Sequence, residues 1–175
     1  TTIMELQEVT EHLLILGGGY IALEFGQMFR RFGSQVTILQ KSGQLLGRED
    51  ADVAQEIQQI LEEEGIQVYL NAQTKAISQS SDNSIHLQVA TPGAQIDLSG
   101  SHLLVATGRI PNSDRMSVDK TGVKLDSRGY IAVNEKLETN IPGIYAACDI
   151  KGGPAFTHIA YDDYRILEGN LLHEQ

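Results

Sequence analysis

The first part of the chain alternates short apolar runs with segments in which apolar residues recur every three or four positions. Residues 13–16 form an unbroken apolar run that ends at three glycines, a pattern typical of a strand buried on both faces. Similar runs occupy residues 36–39 and 66–70. Strands at these places, separated by helices, predict a parallel sheet with helical crossovers, as in a Rossmann-like doubly wound fold.

The two segments between these strands carry apolar residues at helical spacing, so each predicts an amphipathic helix. The first helix is predicted to bury Ile21, Phe25, Met28, Phe29 and Phe32. The second, at residues 50–64, is predicted to bury Val53, Ile57, Ile60 and Leu61.

After the third strand the period of the pattern changes to two. Residues 75–80, 85–90 and a stretch near Ile96 alternate apolar and polar side chains, which predicts an antiparallel β-meander. Residues 102–106 then return to a continuous apolar run, which predicts one more buried strand.

A domain boundary is predicted between residues 110 and 111, because residues 110–121 contain Pro, Asn and scattered polar residues without periodicity. The prediction is a domain at 1–110 and a smaller α+β segment at 111–175. The smaller segment is expected to hold three short strands and a closing helix, at 123–125, 130–133, 144–147 and 159–173.

Composition narrows the classes of function. The chain has 13 Lys and Arg against 23 Asp and Glu, a formal net charge of −10, which disfavours binding to nucleic acids and to anionic membrane surfaces. Its single cysteine, Cys148, is interpreted as a small buried residue, with a reactive thiol as the alternative, and a lone cysteine excludes a disulfide within the chain. Without a long apolar segment or a basic leader, the sequence predicts a soluble cytoplasmic protein.

The glycine-rich segment after the first strand is the main candidate site. Gly17, Gly19 and Ala22 form a GxGxxA pattern, in which the first glycine permits a tight turn and the second lets the backbone approach a pyrophosphate. The small third residue allows helix and strand to pack closely, and the phosphates would lie at the helix N-terminus. A tight strand-to-helix turn without a ligand is the alternative.

The end of the second strand bears on the choice of coenzyme. NAD-binding proteins usually place a carboxylate there for the ribose hydroxyls, whereas this chain has Gln40 followed by Lys41. Gln40 does not repel a 2′-phosphate and Lys41 would neutralise it, so the sequence favours NADP over NAD. Lys41 as an ordinary solvated lysine remains the alternative.

Three motifs in this order resemble the flavoprotein disulfide reductases, which include glutathione reductase, dihydrolipoamide dehydrogenase and mercuric reductase. They are GGGYIALEFG at 17–26, ATGRIPN at 106–112 and TNIPGIYAACD at 139–149. The segments GGPAFT at 152–157 and DDYR at 162–165 look most similar to the mercuric-reductase-like branch.

The resemblance implies an NAD(P)-binding domain at 1–110 and, at 111–175, the returning segment of an incomplete FAD-binding domain. It implies that Tyr20 covers the flavin until nicotinamide displaces it, and that Glu24 pairs with a lysine on the flavin side. It also implies that Gly108 lies where the backbone passes close to the dinucleotide.

In the second segment, the resemblance implies that Asp149 hydrogen-bonds the ribityl or pyrophosphate region of FAD and that Thr157 lies near the isoalloxazine ring. Cys148 departs from the family, which usually has glycine at this position. No catalytic residue and no metal ligand is assigned.

The expected function is therefore the NAD(P)H-binding portion of an FAD-dependent oxidoreductase that passes hydride to flavin and on to a disulfide, thiol or metal-ion acceptor. The family's CxxxxC redox pair, its first FAD-binding glycine motif and its dimerisation domain have no match here, so the chain is expected to be part of a longer homodimeric protein and inactive alone. The alternatives are a stand-alone dinucleotide-binding module and a single-Rossmann dehydrogenase that uses Tyr161 or Tyr164 as proton donor.

Overall fold

The computed structural model describes residues 2–172, and these form strands, three longer helices and short 3₁₀ turns. The strands are β1 (His12–Leu16), β2 (Gln35–Leu39), β3 (Gln67–Tyr69), β4 (Gln73–Gln79), β5 (Ile85–Ala90), β6 (Gln95–Gly100) and β7 (His102–Val105). The helices are α1 (Tyr20–Arg31), α2 (Ala51–Glu63) and α3 (Thr157–Leu172), and the 3₁₀ turns are Thr2–Glu5, Asn112–Met116, Val118–Lys120 and Cys148–Lys151.

A four-stranded parallel sheet in the order β3-β2-β1-β7 organises the first part of the chain. In the ladder, Leu13 pairs with Val36 on one side and with His102 on the other. The three strands β4, β5 and β6 form a separate antiparallel sheet. The mixed α/β fold with a parallel sheet and a β-meander is thus confirmed.

The two faces of the parallel sheet are covered by different layers. On one face, Leu13 and Ile15 pack with side chains from α1 and α2 in a single buried cluster. On the other face, Leu14 packs with Leu87 and Val89 of the meander. The alternation of side chains along a strand explains why neighbouring leucines serve different cores.

The predicted buried faces of both helices are partly wrong. Met28 of α1 and Phe32, the C-cap residue that follows it, are exposed, while Ala22 and Gly26 are buried. A Cβ on Gly26 would lie 3.3 Å from Ile15 Cδ1, so the small residues face the sheet and let the helix approach it closely. Leu23 and Phe29 are the bulky side chains of α1 that are buried.

In α2, the predicted core residues Val53 and Ile60 are exposed. Ala54 and Leu61 are the buried side chains of this helix, and Ile57 packs against the core from its edge.

The chain divides into two compact units, Thr1–Gly108 and Arg109–Gln175. In the second unit, Val118, Ile131 and Ala146 form a small buried cluster. The three strands predicted there are wrong, because these segments form only the isolated bridges Leu125↔Ile131 and Glu138↔Tyr145. Some of their backbone groups bond to side chains, as where Asn140 Oδ1 accepts from the Lys124 amide at 2.7 Å.

Further differences concern the edges of the second unit. The closing helix begins at Thr157, two residues before its predicted start, and its predicted last residue, His173, lies outside the described residues. The aperiodic stretch 110–121 contains the two 3₁₀ turns named above. Among residues 2–172, no helix is both long and apolar enough to span a bilayer.

Candidate functional site

The glycine turn between β1 and α1 is fixed by close backbone packing at Gly17. This residue has φ +106°, and a Cβ on it would lie 2.4 Å from the carbonyl oxygen of Ala106 at the end of β7. Its amide donates to Leu39 O at 2.9 Å. The fold alone therefore requires glycine at this first position.

Gly18 is also required by packing, a role that the sequence analysis did not assign. A Cβ there would lie 2.7 Å from Leu45 Cδ2 and 3.0 Å from the carboxamide carbon of Gln40. Both backbone polar groups of Gly18 are used: the amide donates to Gln40 Oε1 at 3.0 Å, and the carbonyl accepts from the Leu46 amide at 2.8 Å. The three consecutive glycines were the available signal, but the GxGxxA pattern leaves the middle position unassigned.

Gly19 differs from its two neighbours because nothing in the described chain requires glycine there. Its φ of −84° and ψ of 172° are open to any residue, and a Cβ on it would meet no atom within 4 Å. Gly19 is the N-cap of α1, and no side chain caps this helix end. The turn therefore offers an open space beside a helix N-terminus, which fits a pyrophosphate approached closely by the backbone.

The other α1 residues of the predicted site divide into one buried and two exposed positions. Ala22 is fully buried, as a small residue between helix and sheet should be. Tyr20 is 41% exposed, and Glu24 is exposed one turn later on the same side of the helix. Within residues 2–172, the Glu24 carboxylate makes no hydrogen bond or ion pair.

The segment after β2 is held against the glycine turn by Gln40. Besides the bond from Gly18 to Oε1, its Nε2 donates to Ser42 Oγ at 2.6 Å and to Gln44 O at 3.1 Å. Lys41 is exposed, and in the described part of the chain its ammonium group has no acceptor. The structure thus brings Gln40 to the glycine turn and leaves Lys41 free beside it.

Gly108 follows β7 with φ +134°, and a Cβ on it would meet no atom within 4 Å. Its backbone conformation is one that L-residues rarely adopt, so the fold itself favours glycine here.

The predicted flavin-side residues Asp149 and Thr157 belong to the second unit. The Asp149 carboxylate accepts from Arg109 Nη1 at 2.8 Å, and both side chains are more than half exposed. Thr157 is the exposed first residue of α3.

A buried aspartate fixes the 3₁₀ turn that carries Asp149, and the sequence analysis missed it. Asp163 of α3 is 4% exposed, its Oδ2 accepts from the Cys148 amide at 2.7 Å, and its Oδ1 lies 3.3 Å from Lys151 Nζ. The pair of adjacent aspartates at 162 and 163 gives no sequence signal of which one is buried.

The interpretation of Cys148 as a buried residue is wrong, because the structure places it at the exposed start of the 3₁₀ turn. Its backbone has φ +62°, and its amide bond to Asp163 holds the residue at the surface of the turn. The positive φ also explains why glycine is suited to this position.

The two tyrosines considered as proton donors lie on α3. Tyr161 and Tyr164 are both exposed, with ring centroids 5.8 Å apart. The hydrogen bond from Tyr164 to the Glu168 carboxylate, at 2.9 Å, raises the pKa of the phenol above its usual value. Tyr164 is therefore a weaker acid than a free tyrosine.

Comparison with known proteins identifies the family. The sequence model of the pyridine nucleotide-disulphide oxidoreductase family matches residues 1–163. A probable pyridine nucleotide-disulfide oxidoreductase from Escherichia coli, RclA, is 41% identical over 99% of the chain, and a mercuric reductase from Streptomyces lividans is 39% identical over 98%. The chain belongs to the pyridine nucleotide-disulphide oxidoreductase family.

The solved structures agree with this assignment. The copper(II) complex of the HOCl-induced flavoprotein disulfide reductase RclA from Escherichia coli superposes with a TM-score of 0.89 at 41% identity over 99% of the chain. The chain spans 38% of that structure, 38% of the RclA sequence and 36% of the mercuric reductase. The family implies FAD and a pyridine nucleotide as cofactors, and the resemblance predicted from the three motifs is confirmed.

Proposed function

We propose that the chain is the NAD(P)H-binding portion, residues 1–110, together with a returning FAD-domain segment, residues 111–175, of an FAD-dependent oxidoreductase. The whole protein passes hydride from NAD(P)H to flavin and on to a disulfide, thiol or metal-ion acceptor. The observation that carries this proposal is the open space at Gly19, where the backbone allows any residue and a Cβ would meet no atom of the chain within 4 Å.

The cofactors supply the redox chemistry, and the residues of this chain bind and orient them. A helix N-terminus favours anions, so a pyrophosphate is proposed to lie at the start of α1. Tyr20 and Glu24, exposed on one side of α1, are proposed to meet the nicotinamide and flavin side of the site. Gly108, Asp149 and Thr157 keep the roles that the family resemblance implies.

We propose NADPH as the preferred coenzyme, with Lys41 contacting the 2′-phosphate. The ammonium group of Lys41 is exposed and has no acceptor within the described residues, so it is available to an anion. No carboxylate stands at the end of β2 to repel the phosphate, since position 40 is a glutamine.

Calorimetric titration of the chain with NADPH and with NADH tests this proposal. Lys41→Ala is expected to weaken NADPH binding by about tenfold, on the order of 1.4 kcal/mol, and to leave NADH binding unchanged. Lys75→Ala is the matched control, because it removes the same charge from the antiparallel sheet, where Lys75 bonds to Gln73. Failure of the chain to bind either coenzyme would overturn the proposed function.

The chain alone is proposed to bind coenzyme without turnover, because its single cysteine cannot form the redox pair that the family resemblance implies. Oxidation of NADPH by the purified chain without added flavin would contradict this. The whole protein is proposed to be a cytoplasmic homodimer.

A further inference from the structure

The hydrogen bonds of Gln40 show how this residue acts in the candidate coenzyme site. Its carboxamide is half-buried against the glycine turn and makes three hydrogen bonds, to Gly18, Ser42 and Gln44. The orientation of the amide is determined by its partners, because the Gly18 amide needs an acceptor and the Gln44 carbonyl needs a donor.

A count of the groups on this side chain shows what remains for a ligand. A glutamine side chain has two N–H donors, and both are used here by Ser42 Oγ and Gln44 O. A 2′-phosphate presents acceptor oxygens, so Gln40 has no donor left for it.

The bonds of Gln40 also connect parts of the chain that are distant in sequence. The segment after β2 meets the glycine turn through two hydrogen bonds, from the Gly18 amide to Gln40 and from the Leu46 amide to Gly18 O. Leu45 Cδ2 also lies close enough that a Cβ on Gly18 would be 2.7 Å from it. Through Ser42 and Gln44, the carboxamide ties the residues that flank Lys41 to the same turn.

The geometry points to Gln40 as a positioning residue that braces residues 41–46 against the glycine turn and does not contact the coenzyme. In this arrangement Gln40 supports binding of NADPH and NADH equally, and discrimination at the 2′-position comes from Lys41. This inference rests on the proposed coenzyme site and differs from a direct contact between Gln40 and the 2′-group.

Two substitutions separate the hydrogen bond that the Gln40 side chain accepts from the two that it donates. Gln40→Met keeps the length and packing of the side chain and removes all three hydrogen bonds. Gln40→Glu keeps an acceptor for the Gly18 amide and removes both donors. Gln59→Met is the matched control, since Gln59 is exposed on α2 and bonds only to Glu63 within the described residues.

The first measurement is amide hydrogen exchange of the chain without coenzyme. Gln40→Met is expected to speed exchange at the Gly18 amide and in residues 41–46, with the rest of the chain unchanged. Gln40→Glu is expected to speed exchange in residues 41–46 while the Gly18 amide stays protected. Unchanged exchange in both variants would overturn the bracing role.

The second measurement is titration of Gln40→Met and of the Gln59→Met control with both coenzymes, because the carboxylate of Gln40→Glu would itself repel a 2′-phosphate. Gln40→Met is expected to weaken NADPH and NADH by the same factor, about fivefold, because the brace serves both ligands. A change of more than fivefold in the ratio of the two dissociation constants would overturn the inference and show direct contact with the 2′-group. If the unmodified chain binds neither coenzyme, the proposed function fails, whereas the exchange experiment still decides the bracing role.

Discussion

Alanine at Gly17 is expected to lower the stability of the fold, whereas alanine at Gly19 is expected to weaken coenzyme binding with little change in stability. The two glycines are only two positions apart in the same turn. Gly17 is required by contacts within the chain, whereas the space around Gly19 is open. The pair therefore separates what the fold needs from what the ligand needs.

The structure gives the size of the effect at Gly17. Its φ of +106° is strained for an L-residue, which costs about 1–3 kcal/mol. The new Cβ would also lie 2.4 Å from Ala106 O, and overpacking of this kind costs about 1–3 kcal/mol more. Gly17→Ala is thus expected to lower the free energy of unfolding by about 3 kcal/mol or more.

At Gly19 the two small effects on stability oppose each other. Alanine is a poorer N-cap than glycine, but it restricts the unfolded chain by about 0.4–1 kcal/mol. Gly19→Ala is therefore expected to change the free energy of unfolding by less than about 1 kcal/mol. Its Cβ would occupy the space next to the pyrophosphate, so NADPH binding should weaken by about tenfold or more.

The assay combines urea unfolding followed by circular dichroism with calorimetric titration of NADPH. Gly47→Ala is the control, because a Cβ there would also meet no atom within 4 Å and the residue lies outside the turn. Wild-type affinity in Gly19→Ala would refute the assignment of the open space to a pyrophosphate. Wild-type stability in Gly17→Ala would refute the packing argument at the end of β7.

Three further predictions concern pH, a buried ion pair and the thiol. Burial lowers the pKa of His12 below 6.5, so the stability contributed by its neutral ring is present above pH 6.5 and is lost as pH falls through the folded pKa. In His12→Gln, the midpoint of urea unfolding should therefore depend less on pH below 6.5 than it does in the wild type. Asp163→Ala should destabilise the second unit by about 3 kcal/mol in thermal unfolding, because Lys151 and the Cys148 amide lose their buried acceptor. An equal loss of stability in Asp162→Ala, at an exposed carboxylate, would contradict this reasoning. Cys148 is exposed, so the native chain should react with one equivalent of a thiol reagent without denaturant, and labelling only after unfolding would show that the thiol is buried.

The periodicity of apolar residues correctly predicted most of the secondary structure of the first unit. The continuous apolar run before Gly17 forms β1, and the segments with a period of two from residue 75 onward form the antiparallel sheet. These predictions succeed because a buried strand and an amphipathic helix each produce a periodic pattern of apolar residues over a short stretch of sequence. The second unit is less regular, and its short apolar segments make single bridges where strands were predicted.

The buried faces of the helices needed tertiary structure. Periodicity identified α1 as a helix, but the large side chains at Met28 and Phe32 suggested the wrong face. The close approach of Gly26 to the sheet, which depends on how helix and sheet pack, decides the rotation.

The sequence by itself determined the family, the parallel α/β unit and the glycine turn at Gly17 and Gly19, because each depends on residues close together in the chain. Tertiary structure alone decided that Gln40 bonds to Gly18, 22 positions away, and that Asp163 rather than its neighbour is the buried carboxylate holding Cys148. The physical reason is that a buried polar group must find its partner among whatever groups the packed elements bring near it. The partner depends on which distant elements of the chain approach each other in the folded state, and a local sequence pattern does not contain this information.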